Sequence, residues 1–190
     1  MRIRKLVVVL VVVLALPITA WAAFKPLRVL APELLGLYCS EAGVCVDDPS
    51  RLAEAIALKQ EAVAFVSARV GPLQGVPRAV FCSTAACAKA FGLSRQRAYN
   101  VGTMGAVIGP RGWQPHFVRH ELIHHLQCEH LGSLNAWLFK PEWFREGMAY
   151  SLSDDPRRPL PEPLEGWRRQ FDRWQSEVGA TNLWRAAEEL

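Results

Sequence analysis

The chain has 190 residues, enough for one folded domain with a sizeable core. Its formal net charge is +4, but Arg2, Arg4 and Lys5 belong to an N-terminal leader, and removing them leaves +1. That balance gives no charge-based case for nucleic-acid binding, and no repeat or low-complexity tract marks the rest of the chain.

Residues 1–22 read as a signal peptide. A short basic start is followed by the apolar run Leu6 to Leu16, then by Pro17, and Ala20-Trp21-Ala22 fits the small-x-small pattern of a cleavage site. The 19 uncharged residues between Lys5 and Lys25 also approach the length of a bilayer span, so an uncleaved anchor is the alternative, and the only membrane contact expected. Residues 23–190 then form a single exported domain, periplasmic or secreted. In an oxidising compartment Cys39 with Cys45 and Cys82 with Cys87 are expected to close local loops. Cys128 is left over as a buried small hydrophobe.

Residues 26–48 read as an irregular lead-in. Asp47-Asp48-Pro49-Ser50 starts a helix over Arg51 to Val70, whose apolar residues Leu52, Ala55, Ile56, Ala62, Val63 and Val66 recur at helical intervals before Gly71-Pro72 stops it. Arg78 to Ser83 reads as a short strand and Thr84 to Phe91 as a short helix. Val101 to Gly109 reads as one glycine-bearing strand, either an ordinary core strand or one that offers a free edge to an extended peptide. A helix follows from Pro115 to about Leu131, with Gly132 as its stop. Ser133 to Lys140 is expected to be a loop, and Pro141 opens a helix through Tyr150. After the proline-rich connector Asp154 to Pro163, helices near Leu164–Glu177 and Thr181–Glu189 close the chain, with Trp167, Phe171 and Trp174 as a packing stripe. Arg157-Arg158 and Arg168-Arg169 read as solvated basic pairs.

The chemistry lies in His120-Glu121-Leu122-Ile123-His124. Two histidines four apart share one helix face, so both imidazoles can reach one metal ion. Glu121, beside the first, can then hold a proton next to an attacking water. A catalytic zinc site needs a third protein ligand and keeps a fourth position open. Two residues stand at suitable places for the third: Glu146, 22 residues after His124 on a separate predicted helix, and His130, ten after His120. On a continuing helix His130 would stand about 80° round from His120 and about three turns along, and would miss the ion. Glu142 shares a face with Glu146 but reads more plainly as a solvated first-turn acid. His116 and His125 lie one turn before and about 100° off the metal face. Tyr150, Tyr99 and His116 are candidate helpers for a developing oxyanion.

HExxH is the arrangement of zinc-dependent peptidases, and Trp143-Phe144-Arg145-Glu146-Gly147-Met148-Ala149-Tyr150 resembles the W-x-x-E-G-x-A segment of the gluzincin group. The resemblance covers roughly residues 115–152. It implies a zincin-like α+β fold with a small sheet packed against the HExxH helix and a mainly helical C-terminal part. It further implies Zn²⁺ held by His120, His124 and Glu146, Glu121 as general base, a peptide or protein substrate, and Gly147 as the residue that lets the two site helices approach. The zinc aminopeptidases of that group carry G-A-M-E-N, whereas Gly105-Ala106-Val107-Ile108-Gly109 has no acid, so aminopeptidase specificity has no support. His130 is similar to the third histidine of H-E-x-x-H-x-x-G-x-x-H metzincins, but Gln127 stands where those have glycine. A zincin-like scaffold that binds a partner without catalysis is the alternative of another class; Glu121 argues against it, because a structural metal site needs no base.

Overall fold

The computed structural model describes Val13 and residues 19–190. Most of the expected leader, including its apolar run, lies outside the described residues. Among the described residues no helix is long and apolar enough to cross a membrane.

Five short strands form one sheet: β1 (Tyr38–Cys39), β2 (Val44–Val46), β3 (Arg78–Phe81), β4 (Ala98–Val101) and β5 (Gly105–Ile108), in the order β1-β2-β3-β5-β4. β2, β3 and β5 run parallel, with β1 and β4 antiparallel at the two edges. Side chains alternate across the sheet as a period of two requires. Val44, Val46, Ala79, Phe81, Ala106 and Ile108 face one core. Cys45, Val80 and Val107 face a second, smaller one with Val29, Phe91 and Leu93.

Two helices cover the first face. α1 (Leu52–Arg69) buries Ala55, Ala62 and Val66. The turn before it is fixed by Asp48, whose Oδ1 accepts from Ser50 N at 3.0 Å. α3 (Pro115–Leu131) packs against α1 and is buried over most of its circumference. On the opposite face lie α2 (Ala85–Ala90) and the N-terminal segment. α4 (Ser133–Leu138), α5 (Glu142–Leu152), α6 (Leu164–Val178) and α7 (Leu183–Glu188) follow, so the fold is α+β with a helical C-terminal part.

Three expectations need correction. The strand expected over Val101 to Gly109 is a hairpin: β4 turns through Gly102-Thr103-Met104 into β5, with Val101 paired to Gly105. Gly102 (φ 57°) and Gly105 (φ 152°) adopt backbone that other residues rarely take, so the glycines mark the turn. Gly105 to Ile108 is therefore internal, and the free edge belongs to β4. Ser133 to Lys140 is not a loop but contains α4. Its Leu134 and Leu138 are 75% and 69% exposed and only Ala136 is buried, so its apolar residues trace no buried face. The lead-in is also more ordered than expected, with 3₁₀ turns at Lys25–Leu30 and Pro32–Leu35 before the β1–β2 pair.

Cys39–Cys45 and Cys82–Cys87 are disulfides and Cys128 is a buried free thiol, as the spacing predicts. The first bridge staples directly opposed residues of β1 and β2. Two such bonds in a small chain belong to an oxidising, exported environment.

Candidate metal centre

α3 carries His120 and His124 one turn apart on the face that looks towards β4 and α5. α5 brings Glu146 to the same point. His120 Nε2 and His124 Nε2 are 3.1 Å apart. Glu146 Oε2 lies 3.5 Å from His120 Nε2, and Glu146 Oε1 lies 3.4 Å from His124 Nε2. A tetrahedral zinc with donors at 2.0–2.1 Å sets those donors about 3.3 Å from one another. All three separations fall within a few tenths of an ångström of that spacing, so two imidazoles and a carboxylate fit one ion.

The charge distribution favours a cation at this point. Burial alone would lower the proton affinity of His124, but the neighbouring Glu146 carboxylate overrides it and lifts the pKa to about 9. Burial would raise Glu146, yet the charges and hydrogen bonds of His124 and His120 hold it far below the usual carboxylate range. A proton held there must leave when a metal ion takes its place.

Glu121 is buried beside the first histidine and lines the same cleft. Burial, with the Glu146 charge, holds its carboxyl above the ordinary range against the opposing pull of His120 and His124. Tyr150, one turn beyond Glu146 on α5, sets its ring edge-on to His120 at 4.5 Å. Burial and the Glu146 charge push its hydroxyl up to about 12, so it stays a neutral donor. The cleft, about 600 Å³, is walled on its far side by Ala98, Tyr99 and Asn100 of β4.

A further contact holds one of the two imidazoles. Gln127 is one turn beyond His124, and its Oε1 lies 2.9 Å from His124 Nδ1. Its Nε2 donates to Arg145 O at 3.0 Å, so one side chain joins α3 to α5 and, where Nδ1 carries the proton, leaves His124 Nε2 facing the point at which the three donors converge. In the sequence Gln127 stands out only as a departure from the metzincin pattern, and its spacing of three from His124 is the one signal of this contact.

The other candidates are not brought to this point. His130 stacks flat on Trp184 of α7, ring centroids 4.0 Å apart, because α3 continues as a helix past Gln127. Glu142 pairs with Arg145 at 2.6 Å on a half-exposed surface. His125 Nε2 faces Glu129 Oε1 at 3.0 Å, on the side of α3 away from the cleft. Tyr99 donates its hydroxyl to Phe91 O at 2.5 Å, which removes it as an oxyanion helper. His116 is buried and does not line the cleft. Conversely, Arg157, read as part of a solvated basic pair, lines the cleft and is held by Asp155.

Gly147 also has a different partner from the one expected. A Cβ there would stand 2.4 Å from Trp167 O and 2.9 Å from Phe171 Cβ. The close approach is thus between α5 and α6, not between the two helices that carry the ligands. No family model matches this chain, and no curated protein or solved structure is significantly similar to it.

Proposed function

We propose that this chain is an exported zinc-dependent peptidase of gluzincin type on a zincin-like fold. The observation that carries the reading is the set of three donor separations, 3.1, 3.4 and 3.5 Å, beside a buried carboxylate in an open cleft. His120, His124 and Glu146 would hold the ion, and zinc there would supply a Lewis acid that lowers the pKa of water towards about 7. Glu121, buried beside His120 and lining the cleft, takes the proton from the attacking water and delivers it to the departing amine. Tyr150, kept neutral, donates towards the carbonyl oxygen as charge develops there. The free edge of β4 beside the cleft supports an extended peptide pairing its backbone along Ala98 to Val101.

The test measures zinc content and peptide cleavage together. Glu121→Gln is expected to keep one zinc per chain and lose cleavage, and Glu146→Ala to lose most of the zinc. Stoichiometric zinc in Glu146→Ala, or in wild type a bound zinc with no turnover across a broad peptide library, overturns the reading.

A further inference from the structure

Among the described residues the arginines divide between those that hold a carboxylate and those that do not. Arg51, Arg78, Arg119, Arg145, Arg168 and Arg169 each hold a carboxylate within ion-pair distance. Three of the second kind gather at the mouth of the metal cleft. Arg95, Arg97 and Arg111 line it with no carboxylate partner among the described residues, and Arg157 adds a fourth guanidinium that already holds Asp155. Among the described residues the carboxylates lining the cleft are Glu121 and Glu146, and a divalent ion would offset both.

The basic rim is built rather than loose. Arg111 Nη2 donates to Arg95 O at 2.7 Å, tying the segment after β5 to the segment before β4. Gly109 N donates to Arg97 O at 2.8 Å. Gly112 sits so close that a Cβ would lie 2.4 Å from Arg97 O. Two of the guanidiniums share one aromatic platform: Arg97 Cζ lies 5.0 Å and Arg157 Cζ 4.9 Å from the Phe117 ring centre. Phe117 is one helical turn before His120 on the same face of α3. At the other end of the ligand pair, His124 meets Trp137 at 5.8 Å. The cleft is therefore polarised along α3, cationic on the Phe117 side of the metal point and aromatic on the other.

We infer that the substrate is an acidic peptide, its side-chain carboxylates lying over Arg95, Arg97 and Arg111 on one side of the scissile bond. This deepens the peptidase reading and rests on it. Exposed guanidiniums with no carboxylate partner among the described residues cost a carboxylate ligand no competing ion pair, and a concentration of one charge sign in a cleft speeds encounter with the opposite sign.

The test uses three acetylated, amidated, internally quenched peptides. One carries three glutamines on each side of the cut; in the other two, the glutamines on one side or the other become glutamates. With zinc-loaded wild type, one of the two acidic peptides is expected to show about tenfold higher kcat/KM than the glutamine peptide, at the lower end of electrostatic steering. The preference should vanish in 1 M salt, where the Debye length shrinks to about 3 Å. Arg95→Gln/Arg97→Gln should bring the ratio close to one, and Arg95→Lys/Arg97→Lys should keep most of it. A parallel binding titration of the same peptides to zinc-loaded Glu121→Gln reads the preference without turnover. Equal cleavage and equal binding of acidic and glutamine peptides, or a preference that survives in the glutamine double variant, overturns the inference while leaving the peptidase reading in place. Selective binding of an acidic peptide with no cleavage by wild type sinks the peptidase reading and upholds the charge selectivity.

Discussion

Gln127→Leu isolates the link between the two ligand-bearing helices. His124 and Gln127 are 4% and 2% exposed, so water cannot replace the lost partner of His124 Nδ1. Leaving that buried N–H unpaired costs about 1–3 kcal/mol of stability. Arg145 O loses its side-chain donor but still accepts within α5, so the penalty falls mainly on the imidazole. Without the Oε1 acceptor the ring is free to carry its proton on Nε2, where a lone pair must face the metal. Loss of such a partner weakens metal binding by about 10–100-fold, or about 1.4–2.7 kcal/mol. Competition against a chromogenic chelator measures the affinity, and a thermal melt of the metal-free variant measures the stability. Gln127→Glu preserves an acceptor for Nδ1–H and should bind zinc more tightly than Gln127→Leu, while its carboxylate faces Arg145 O and lowers stability. Wild-type zinc affinity in Gln127→Leu would refute the argument that this hydrogen bond orients the ligand.

Two further predictions concern the frame around the site. Gly147→Ala should destabilise the fold by about 3 kcal/mol in a denaturant titration, because the new methyl meets a backbone carbonyl at 2.4 Å that cannot turn aside. The helix propensity gained by alanine, about 1 kcal/mol, does not offset that. Since Glu146 is the adjacent residue, zinc affinity should fall in the same variant. Lys59 of α1 is buried with Nζ donating to Ala42 O at 2.7 Å, and burial, aided by the charge of Arg78, pulls its pKa down to about 8. Between that value and the unfolded value of 10.5 the unfolded chain binds more protons, so this residue's penalty fades and stability rises as pH climbs through the window. The gain should be roughly 1–3 kcal/mol, and Lys59→Met should abolish it in melts compared at pH 7 and pH 10. A slope unchanged by that substitution would assign the pH dependence elsewhere.

The elements that spacing reveals are those with one buried face and a sharp stop. α1 is legible for that reason: Asp48 opens it and it buries a periodic face, whereas α3, buried over most of its circumference, shows only its Pro115 start and Gly132 stop. The His120, His124 and Glu146 convergence was legible only in part. Helical periodicity puts the two histidines on one face, but nothing local to residue 146 says that α5 turns its glutamate towards α3; that depended on a segment-level resemblance. The β4–β5 hairpin was misread because Val101 and Val107 flank glycines that permit either a strand or a turn, and cross-strand pairing decides between them. Arg95, Arg97, Arg111 and Arg157 lie scattered over 63 positions of sequence, and their common cleft emerges only when β4, β5 and the segment after α5 fold together.

The same tertiary frame predicts what removal of the metal does. Glu146 is held from both sides without help from an ion. On one side Gln127 ties Arg145 O to α3. On the other, Phe144 packs against Phe171 and Trp174 of α6, with centroids 6.2 and 5.5 Å away, while Gly147 lets that helix close in. His120 and His124 sit on a helix whose core contacts, Val118, Leu122, Ile123 and Leu126, are all fully or nearly buried. Such a site is prepared by packing, so metal affinity need not be spent on folding, unlike small domains whose ligands meet only around the ion. Protein stripped by a chelator should keep its far-UV circular dichroism and a cooperative melt. Free zinc at a hundred times its dissociation constant should add about 2.7 kcal/mol, the amount that binding to the folded state alone supplies. Collapse of the far-UV signal on stripping, with recovery on adding zinc, would mean that the ion assembles the helices and that the packing of α5 on α6 does not hold Glu146 in place.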